Sequence, residues 1–299
     1  MNPEQLLLGF PGYSEQGKRL ANYLNIEYRE VDIHRFPDGE SRLRLPPELP
    51  DTVVLCRSLD HPNDKLVEVF LAAAGARELG AQRLILVAPY LCYMRQDKAF
   101  HPGEVVSQRI VGQQLASYFD GLLTVDSHLH RVHRLGDAVP TACSVNVTAT
   151  RPMSAFLQQR LNDPMLIGPD EESAQWVAAI AEHEGLDFQV ARKQRFGDRE
   201  VRVTLPTADY RDRDLVLVDD VASTGRTLAA AARTLSPFHP ASISVLVAHA
   251  LFAGDAIAQL KEAGVAHVWS CDSIPHASNR VSLDQLLGDS LREDFHIAG

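Results

Sequence analysis

Short apolar segments alternate with longer amphipathic ones along most of this 299-residue chain. The apolar segments are rich in Val, Ile and Leu, which is typical of strands buried on both faces of a parallel sheet. Strand followed by helix, repeated along a chain, predicts such a sheet covered by helices. The predicted strands are 5–9, 52–56, 83–88, 121–126, 165–168, 214–218 and 242–248. The predicted helices are 66–79, 104–118, 171–184, 227–235 and 255–263.

Two segments predict antiparallel hairpins instead. Residues 26–33 and 41–45 flank the sequence FPDGE at 36–40, whose Pro, Asp and Gly favour a turn. Residues 187–205 contain two strand-like runs on either side of a polar turn at 193–199.

The two halves of the chain resemble each other. GLLTVDSH at 121–128 resembles LVLVDDVAS at 215–223, and RLILVAPY at 83–90 resembles PMLIGPDE at 164–171. With about 150 residues per domain, the weak repeat predicts two related α/β domains joined near 140–152. We place the first domain at 1–146, the second at 147–285 and a tail at 286–299.

Composition excludes several classes of protein. Apolar residues make up 45% of the chain and charged residues 23%, which is ordinary globular usage rather than that of a disordered chain. The formal charge of −10 argues against a nucleic-acid or membrane-surface partner. No apolar run reaches about 18 residues and no signal peptide is evident, so we expect no membrane span.

The four cysteines indicate a reducing environment. Cys56, Cys92, Cys143 and Cys271 form no CxxC pair, so they predict free thiols rather than a zinc site or a redox pair. Free thiols are usual in the cytoplasm, which is the location we expect.

The strongest motif is DDVASTGRT at 219–227, between a predicted strand and a predicted helix. Unpaired N–H groups at a helix N-terminus and the helix dipole both favour an anion there. Gly225 allows close approach of the backbone to a ligand, and Ser223, Thr224 and Thr227 add hydroxyl donors. These features predict a phosphate-binding loop.

The acidic pair before this loop narrows the ligand. Asp219 and Asp220 stand at the predicted strand end, where carboxylates can accept hydrogen bonds from sugar hydroxyls. A phosphate beside a diol indicates a phosphorylated ribose. The alternative interpretation is a capped helix after a strand.

Three other groups of residues have both a functional and a plain interpretation. Arg95, Gln96, Asp97 and Lys98 follow a predicted strand at its carboxyl end, where α/β sheets bind ligands, and their cations suit a polyphosphate. A solvated loop would have the same composition. Phe36, Asp38 and Glu40 form a plain turn, or an aromatic and two acids that hold a base.

His128, His130 and His133 are either surface histidines or a metal site, and Lys193 and Arg195 are either a solvated turn or a loop that closes over a phosphate.

Several of these motifs together resemble a known family. DDVASTGRT resembles the phosphoribosyl-pyrophosphate motif shared by type I phosphoribosyltransferases and ribose-phosphate pyrophosphokinases. Further segments resemble the pyrophosphokinases specifically and occur in that family's order: FPDGE (36–40), PYLCYMRQDK (89–98), VDSH (125–128), GPDEES (168–173) and the neighbourhood of Lys193 and Arg195. The later segments resemble the archaeal-like branch more than the common bacterial one.

The resemblance implies two similar phosphoribosyltransferase-like α/β domains, each a mainly parallel sheet flanked by helices. The first would bind ATP and the second ribose 5-phosphate, with the C-terminal tail returning to the first domain. The expected activity transfers the diphosphoryl group of Mg²⁺–ATP to the 1-hydroxyl of ribose 5-phosphate, giving phosphoribosyl pyrophosphate and AMP. Adenine contacts borrowed from a neighbouring subunit would make the protein a homo-oligomer.

The resemblance also assigns roles to residues. The implied ATP-binding residues are Phe36, Asp38, Glu40, Arg95, Gln96, Asp97, Lys98 and His128. The implied ribose 5-phosphate-binding residues are Asp219, Asp220, Ser223, Thr224, Gly225 and Thr227.

His128 and Asp170 would serve a Mg²⁺ site, and Lys193 and Arg195 would be the catalytic cations of a flexible loop. That loop lacks the arginine-rich run of many relatives.

Two other functions remain open on the sequence alone. A type I phosphoribosyltransferase would use the same ribose-phosphate motif to move a ribosyl group onto a base, although it would not need the N-terminal motifs. A non-catalytic relative would bind or regulate a true synthase, although such a protein tends to lose its catalytic groups.

Overall fold

A computed structural model describes residues 2–129, 131–196 and 200–297, and it describes the side chains of 4–129, 131–192 and 204–297. The chain forms two compact units, one made of Met1–Thr148 with Asp284–Gly299 and the other of Ala149–Leu283. The unit boundaries therefore lie at 148/149 and 283/284, where the sequence placed them at 146/147 and 285/286.

Strands and helices alternate along both units. The strands are β1 (Asn2–Gly9), β2 (Ile26–Glu30), β3 (Asp32–Arg35), β4 (Ser41–Arg44), β5 (Thr52–Cys56), β6 (Arg83–Ala88), β7 (Gly121–Val125), β8 (Cys143–Val147), β9 (Met165–Gly168), β10 (Phe188–Val190), β11 (Arg192–Phe196), β12 (Glu200–Thr204), β13 (Asp214–Ala222), β14 (Ser242–Ala250), β15 (His267–Cys271) and β16 (Asn279–Val281). The helices are α1 (Ser14–Leu24), α2 (Pro62–Glu78), α3 (Ser107–Tyr118), α4 (Leu135–Ala138), α5 (Thr150–Arg160), α6 (Ala174–Glu184), α7 (Arg226–Leu235), α8 (Ala256–Glu262) and α9 (Asp284–Glu293).

A six-stranded parallel sheet forms the centre of the first unit. Its strand order is β2-β1-β5-β6-β7-β8, and every neighbouring pair is parallel. The inner strands are buried on both faces, as their unbroken apolar sequences predicted. Helices α2 and α3 add Leu66, Val69 and Leu115 to the core on one face.

The second unit repeats this plan. Its sheet has the order β10-β9-β13-β14-β15-β16, again with every pair parallel. Leu217 and Val245 of the central strands pack with Leu228 and Leu235 of α7 in one buried cluster. The predicted fold class, two similar domains with parallel sheets flanked by helices, is therefore confirmed.

The predicted hairpin at 26–33 is wrong in its first half. Residues Ile26–Glu30 pair in parallel with β1, and only Asp32–Arg35 pairs with Ser41–Arg44 as an antiparallel hairpin. The chain leaves the sheet at Val31, which is fully buried and donates its backbone N–H to Gly9 at 2.9 Å. The predicted single strand is therefore two strands, β2 and β3, on either side of Val31.

The last helix returns to the first unit. In α9, Leu287 and Leu291 are four residues apart and both buried, and α9 packs on α1. The Tyr23 hydroxyl donates to Asp289 at 2.6 Å, and Arg292 donates to the Tyr23 backbone oxygen at 2.6 Å. Within the described residues, no helix is both long enough and apolar enough to cross a bilayer.

Two helix glycines provide a test of the packing of the first unit. A Cβ at Gly112 in α3 would lie 1.8 Å from the backbone oxygen of Ala138, whereas a Cβ at Gly75 in α2 would meet the Leu45 side chain at 3.5 Å. We expect Gly75→Ala to raise the free energy of unfolding by about 0.5–1 kcal/mol, because alanine is the better helix former. Gly112→Ala should instead lower it by about 1–3 kcal/mol, because backbone has to move. Urea unfolding of both variants checks this, and equal stabilisation would contradict the packing described.

Candidate functional site

The loop between β13 and α7 has the geometry of an anion cradle. Gly225 is the N-cap of α7, with φ 68° in the left-handed region, and as a glycine it has no side chain that could cap the helix. A helix N-terminus presents backbone N–H groups and the positive end of the helix dipole, and both favour a negative charge beside it. The side chains of Ser223 and Thr227 are partly buried at the loop, and that of Thr224 is exposed.

Neighbouring backbone fixes this loop in place. The N–H groups of Phe252 and Ala253 donate to the carbonyl oxygens of Ala222 and Ser223 at 2.8 and 2.9 Å. A Cβ on Gly225 would lie 3.3 Å from the Cβ of Ala256 and 3.4 Å from its backbone oxygen. Glycine is therefore required here both by its backbone angle and by the space available.

The acidic pair lies inside a strand rather than just after it. The sequence predicted a strand ending at 218, but β13 continues to Ala222 and pairs with β14 through Val221 and His249. The two aspartates interact with each other, since Asp219 Oδ1 accepts the backbone N–H of Asp220 at 3.0 Å. Asp220 is buried, and its Oδ1 accepts the N–H of Val221 at 2.7 Å.

Asp219 has an unfavourable environment for its own charge. Burial raises the pKa of its carboxyl group well above the usual range, and the charges of Asp220 and Asp170 raise it further. Asp170 follows β9, which is the neighbour of β13 in the sheet. A positive charge beside these carboxylates would reduce the repulsion between them and stabilise the charged form of Asp219.

These carboxylates fit a hard divalent cation. Mg²⁺ prefers oxygen ligands and keeps several waters, so one or two carboxylates with substrate oxygens are enough to hold it. In the part of the chain that the structure describes, no three His, Cys, Asp or Glu side chains form a complete metal site. Of the two predicted metal residues, His128 belongs to the first unit and Asp170 to the second.

The second predicted hairpin also needs correction. The segment 187–205 contains β10, which joins the sheet, and then the antiparallel pair β11 and β12. Lys193 and Arg195 lie within β11, opposite Val203 and Val201, and not in a turn that begins at 193. Backbone pairing with β12 outweighs the polar character of the segment. The side chains of Lys193 and Arg195 lie outside the described residues, so their predicted role stays a prediction.

In the first unit, the loop after β6 carries Arg95, Gln96, Asp97 and Lys98. The side chains of Arg95 and Lys98 are exposed, and the Lys98 ammonium lies 4.8 Å from the ring centroid of Phe100. Two cations therefore face solvent at the carboxyl edge of the sheet, where a polyphosphate could reach them.

Two residues that the sequence reading missed hold this loop. Gln108 of α3 is buried, and it donates its side-chain amide to the Met94 oxygen at 3.1 Å and its backbone N–H to the Gln96 oxygen at 3.3 Å. Arg131 donates to Asp97 Oδ1 at 2.6 Å, and the Asp97 side chain is only 2% exposed. A glutamine at a helix start and an arginine in a histidine-rich loop carry no signal that could have identified them.

His128 follows β7, the next strand of the same sheet. Asp126 before it has φ 38°, and the N–H of Ser127 donates to the side chain of Asn146 at 2.9 Å. His128 itself is partly buried. His133 is exposed, and His130 lies outside the described residues.

The FPDGE segment forms a closed turn at the tip of the β3–β4 hairpin. The N–H of Phe36 donates to the backbone oxygen of Glu40 at 2.8 Å, and the N–H of Gly39 donates to the backbone oxygen of Phe36 at 2.9 Å. Asp38 Oδ1 accepts the N–H of Glu40 at 3.2 Å. Phe36 is 41% exposed, and its ring makes an edge contact with the His34 ring at a centroid distance of 4.9 Å.

The predicted site residues therefore fall into two groups. Those of the first unit follow β6 and β7 or lie on the β3–β4 hairpin, and those of the second follow β9, end or follow β13, or lie in β11. In each unit the loops lie at the carboxyl edge of a parallel sheet, which is where α/β folds bind ligands.

Comparison with protein families gives matches in both units. Residues 7–118 match the model of the N-terminal domain of ribose phosphate pyrophosphokinase. Residues 149–286 match the model of the phosphoribosyl transferase domain.

Similar proteins cover most of the chain. It is 36% identical over 270 residues to the ribose-phosphate pyrophosphokinase of Methanopyrus kandleri, and this alignment covers 89% of this chain and 91% of the relative. It is 31% identical over 254 residues to the ribose-phosphate pyrophosphokinase of Thermococcus kodakarensis, and this alignment covers 85% of this chain and 89% of the relative. The fold is similar to the crystal structure of phosphoribosylpyrophosphate synthetase from Mycobacterium smegmatis, with a TM-score of 0.82, 20% identity and coverage of 98% and 99%.

Two glycines with the same backbone conformation provide a test of the anion cradle. Gly225 and Gly254 have φ 68° and 63°, but only a Cβ on Gly225 would meet neighbouring atoms. Alanine at either position should lower the free energy of unfolding by about 1–2 kcal/mol. Gly225→Ala should also weaken binding of inorganic phosphate about tenfold or more, whereas Gly254→Ala should not. Isothermal titration calorimetry with phosphate checks this, and equal affinities in the two variants would contradict the cradle.

Proposed function

Since the chain belongs to the family of ribose-phosphate pyrophosphokinases, we propose that it transfers the diphosphoryl group of ATP to the 1-hydroxyl of ribose 5-phosphate. The products are phosphoribosyl pyrophosphate and AMP. The observation that carries this proposal is that the family relationship extends over both units and not over the ribose-phosphate motif alone. A type I phosphoribosyltransferase would not need the first unit.

In this proposal, ribose 5-phosphate binds to the second unit. Its 5-phosphate accepts hydrogen bonds from the backbone at Gly225 and from the hydroxyls of Ser223, Thr224 and Thr227. Its ring hydroxyls donate to the carboxylates of Asp219 and Asp220. The glycine N-cap of α7 and the close packing at Gly225 support this assignment.

ATP binds to the first unit. Arg95, Lys98 and His128 hold the triphosphate, and Gln96 and Asp97 complete that side of the site. Phe36 stacks on the adenine, and Asp38 and Glu40 accept hydrogen bonds from it. The exposed cations of the loop after β6 and the half-exposed Phe36 ring support this arrangement.

The reaction is an in-line displacement at the β-phosphorus. The 1-hydroxyl oxygen forms a bond to that phosphorus, the bond from the phosphorus to the α–β bridging oxygen breaks, and AMP leaves with that oxygen. The hydroxyl proton passes to water, and we assign no general base. Catalysis is then mainly positioning and neutralisation of charge, as in other phosphoryl transfers.

Lys193 and Arg195 are the cations that we assign to the transferred group. Positive charge placed where negative charge develops lowers the barrier of phosphoryl transfer. Asp170, with Asp219 beside it, and His128 would hold Mg²⁺ at the two substrates. When bound, Mg²⁺ supplies the charge that neutralises the phosphate oxygens.

We also propose that the enzyme works in the cytoplasm as a homo-oligomer. The four free thiols support a reducing compartment. The family resemblance, in which a neighbouring subunit supplies adenine contacts, supports self-association. Light scattering of the purified protein tests this part directly.

The activity is tested by following AMP in a coupled assay with ATP, Mg²⁺ and ribose 5-phosphate. We expect AMP to form only when ribose 5-phosphate is present, together with an equal amount of phosphoribosyl pyrophosphate seen by phosphorus NMR. AMP formation without ribose 5-phosphate would contradict the proposal. No turnover while both substrates still bind would instead favour a non-catalytic relative.

The assignment of the cations predicts the kinetics of a variant. Lys193→Ala should lower kcat about 100-fold or more, because one charge on the transferred group is lost in the transition state. Arg192→Ala removes the neighbouring cation of the same strand and should leave kcat within about twofold. Similar kcat values for the two variants would rule out the role of Lys193, and thermal unfolding of both excludes loss of folded protein as the cause.

A further inference from the structure

A buried ion pair lies outside the residues assigned to catalysis and binding. The Arg57 guanidinium donates through Nη2 to Oε2 of Glu68, and these side chains are only 4% and 1% exposed. The guanidinium carbon lies 4.5 Å from the ring centroid of Phe10, and Nη1 donates to the backbone oxygen of Lys65 at 3.4 Å. Arg57 follows β5 directly, and Glu68 lies in the second turn of α2.

The stability of the fold does not explain such a pair. Removing two charges from water carries a large cost, and apolar residues of similar volume often replace a buried pair with no loss of stability. Val69 and Ala72 of the same helix are fully buried in the apolar core. The ion pair instead fixes the orientation of the Glu68 carboxylate. Because Arg57 holds one carboxylate oxygen, the other oxygen lies at a defined position.

That second oxygen holds both ends of the FPDGE turn. Glu68 Oε1 accepts the Ser41 hydroxyl at 2.9 Å, and it accepts Arg35 through Nε at 3.3 Å and through Nη2 at 3.2 Å. Arg35 comes directly before Phe36, and Ser41 comes directly after Glu40. One carboxylate oxygen therefore ties together the two residues that bracket the turn.

Glu68 keeps its charge in this position. Burial alone raises the pKa of its carboxyl group, but hydrogen bonds from Arg57 and Ser41 and the charges of Arg57 and Arg35 outweigh burial. The net pKa lies below the usual range, so the carboxylate is ionised at neutral pH. Both oxygens are then acceptors for the donors that surround them.

The hairpin needs such an anchor near its tip. Strands β3 and β4 pair only with each other, in a two-stranded sheet separate from the six-stranded one. Ile33, Leu43 and Leu45 pack its base against the core. Residues 36–40 at the tip are exposed. An isolated two-stranded hairpin is marginal in water, so its tip would move without a contact at the neck of the turn.

We propose that Glu68, oriented by Arg57, is a positioning residue that fixes the FPDGE turn for binding of the nucleotide base. The proposal rests on the proposed function, which assigns this turn to adenine. Glu68 touches neither substrate and acts only through Arg35 and Ser41. Its loss therefore loosens the turn and weakens ATP binding, while the transfer step keeps its rate once ATP is bound.

The first test is Glu68→Gln, which keeps the shape of the side chain and removes its charge. Hydrogen exchange followed by mass spectrometry should show amides of 36–41 exchanging about tenfold faster or more. The KM for ATP should rise about tenfold. The kcat at saturating ATP and the KM for ribose 5-phosphate should stay within about twofold, a split that general loss of structure would not produce.

A second variant covers the case in which Glu68→Gln folds poorly because Arg57 is left unpaired. Arg57→Met with Glu68→Leu removes both charges and fills the space with apolar groups, so thermal stability should stay close to that of the wild type. Its turn should still exchange faster and its KM for ATP should still be raised.

The control is Arg77→Ala, at the other end of α2. Arg77 pairs with Asp120 at 2.6 Å, so this variant breaks an ion pair of the same helix without touching the turn. It should lower stability and leave the KM for ATP unchanged.

The outcomes separate this proposal from the proposed function. Unchanged exchange of 36–41 in both the single and the double variant would overturn the positioning role. Faster exchange with an unchanged KM for ATP would overturn the link to nucleotide binding. A wild-type protein that makes no AMP would refute the proposed function, and the exchange experiment would still decide whether Glu68 holds the turn.

Discussion

In each sheet all six strands run in one direction, and the position of the candidate site residues follows from that constraint. Parallel strands need a crossover, usually a helix, so the loops that leave the carboxyl ends gather at one edge and lead into helix N-termini. In the second unit this places Asp170, the end of β13 and the first turn of α7 together. In the first unit it places the loop after β6 beside His128 and beside the residues that follow β5.

Concentrating polar groups at one edge has an energetic consequence. Burial and the neighbouring carboxylates raise the pKa of Asp219, so a cation beside it would stabilise its charged form. Glu68 shows the opposite solution, because its charge is compensated inside the protein by Arg57, Arg35 and Ser41. The first arrangement suits a group that meets substrate, and the second suits a group that holds other residues in place.

The sequence predicted the buried strands well because their signal is local. Thr52–Cys56, Arg83–Ala88 and Met165–Gly168 have the predicted bounds, since each is an unbroken apolar run that stops at polar or turn residues. Pairing overrode the local signal elsewhere. Strand β13 continues through two aspartates because β14 continues beside it, and the edge strand β8 was mistaken for a linker because Ser144 and Asn146 interrupt it.

The sequence identifies candidate site residues where they carry a motif and misses the residues that only hold those motifs in place. The predicted phosphate loop is recognisable in the sequence because a glycine, hydroxyls and acids occur within nine residues. Gln108, Arg131 and Glu68 carry no such pattern, since a glutamine, an arginine or a glutamate on a helix or loop is most often solvated. Only the fold shows that Gln108 and Glu68 are buried and which loops they hold.

The central claim of this account is that a diphosphoryl group moves as one unit from ATP to ribose 5-phosphate. Turnover of ATP labelled separately with ³²P at the α- or the β-phosphorus tests it most directly. We expect the β label to appear entirely in the ribose product and the α label entirely in AMP. Formation of ADP that retains the β label would show transfer of a single phosphoryl group and would contradict the account.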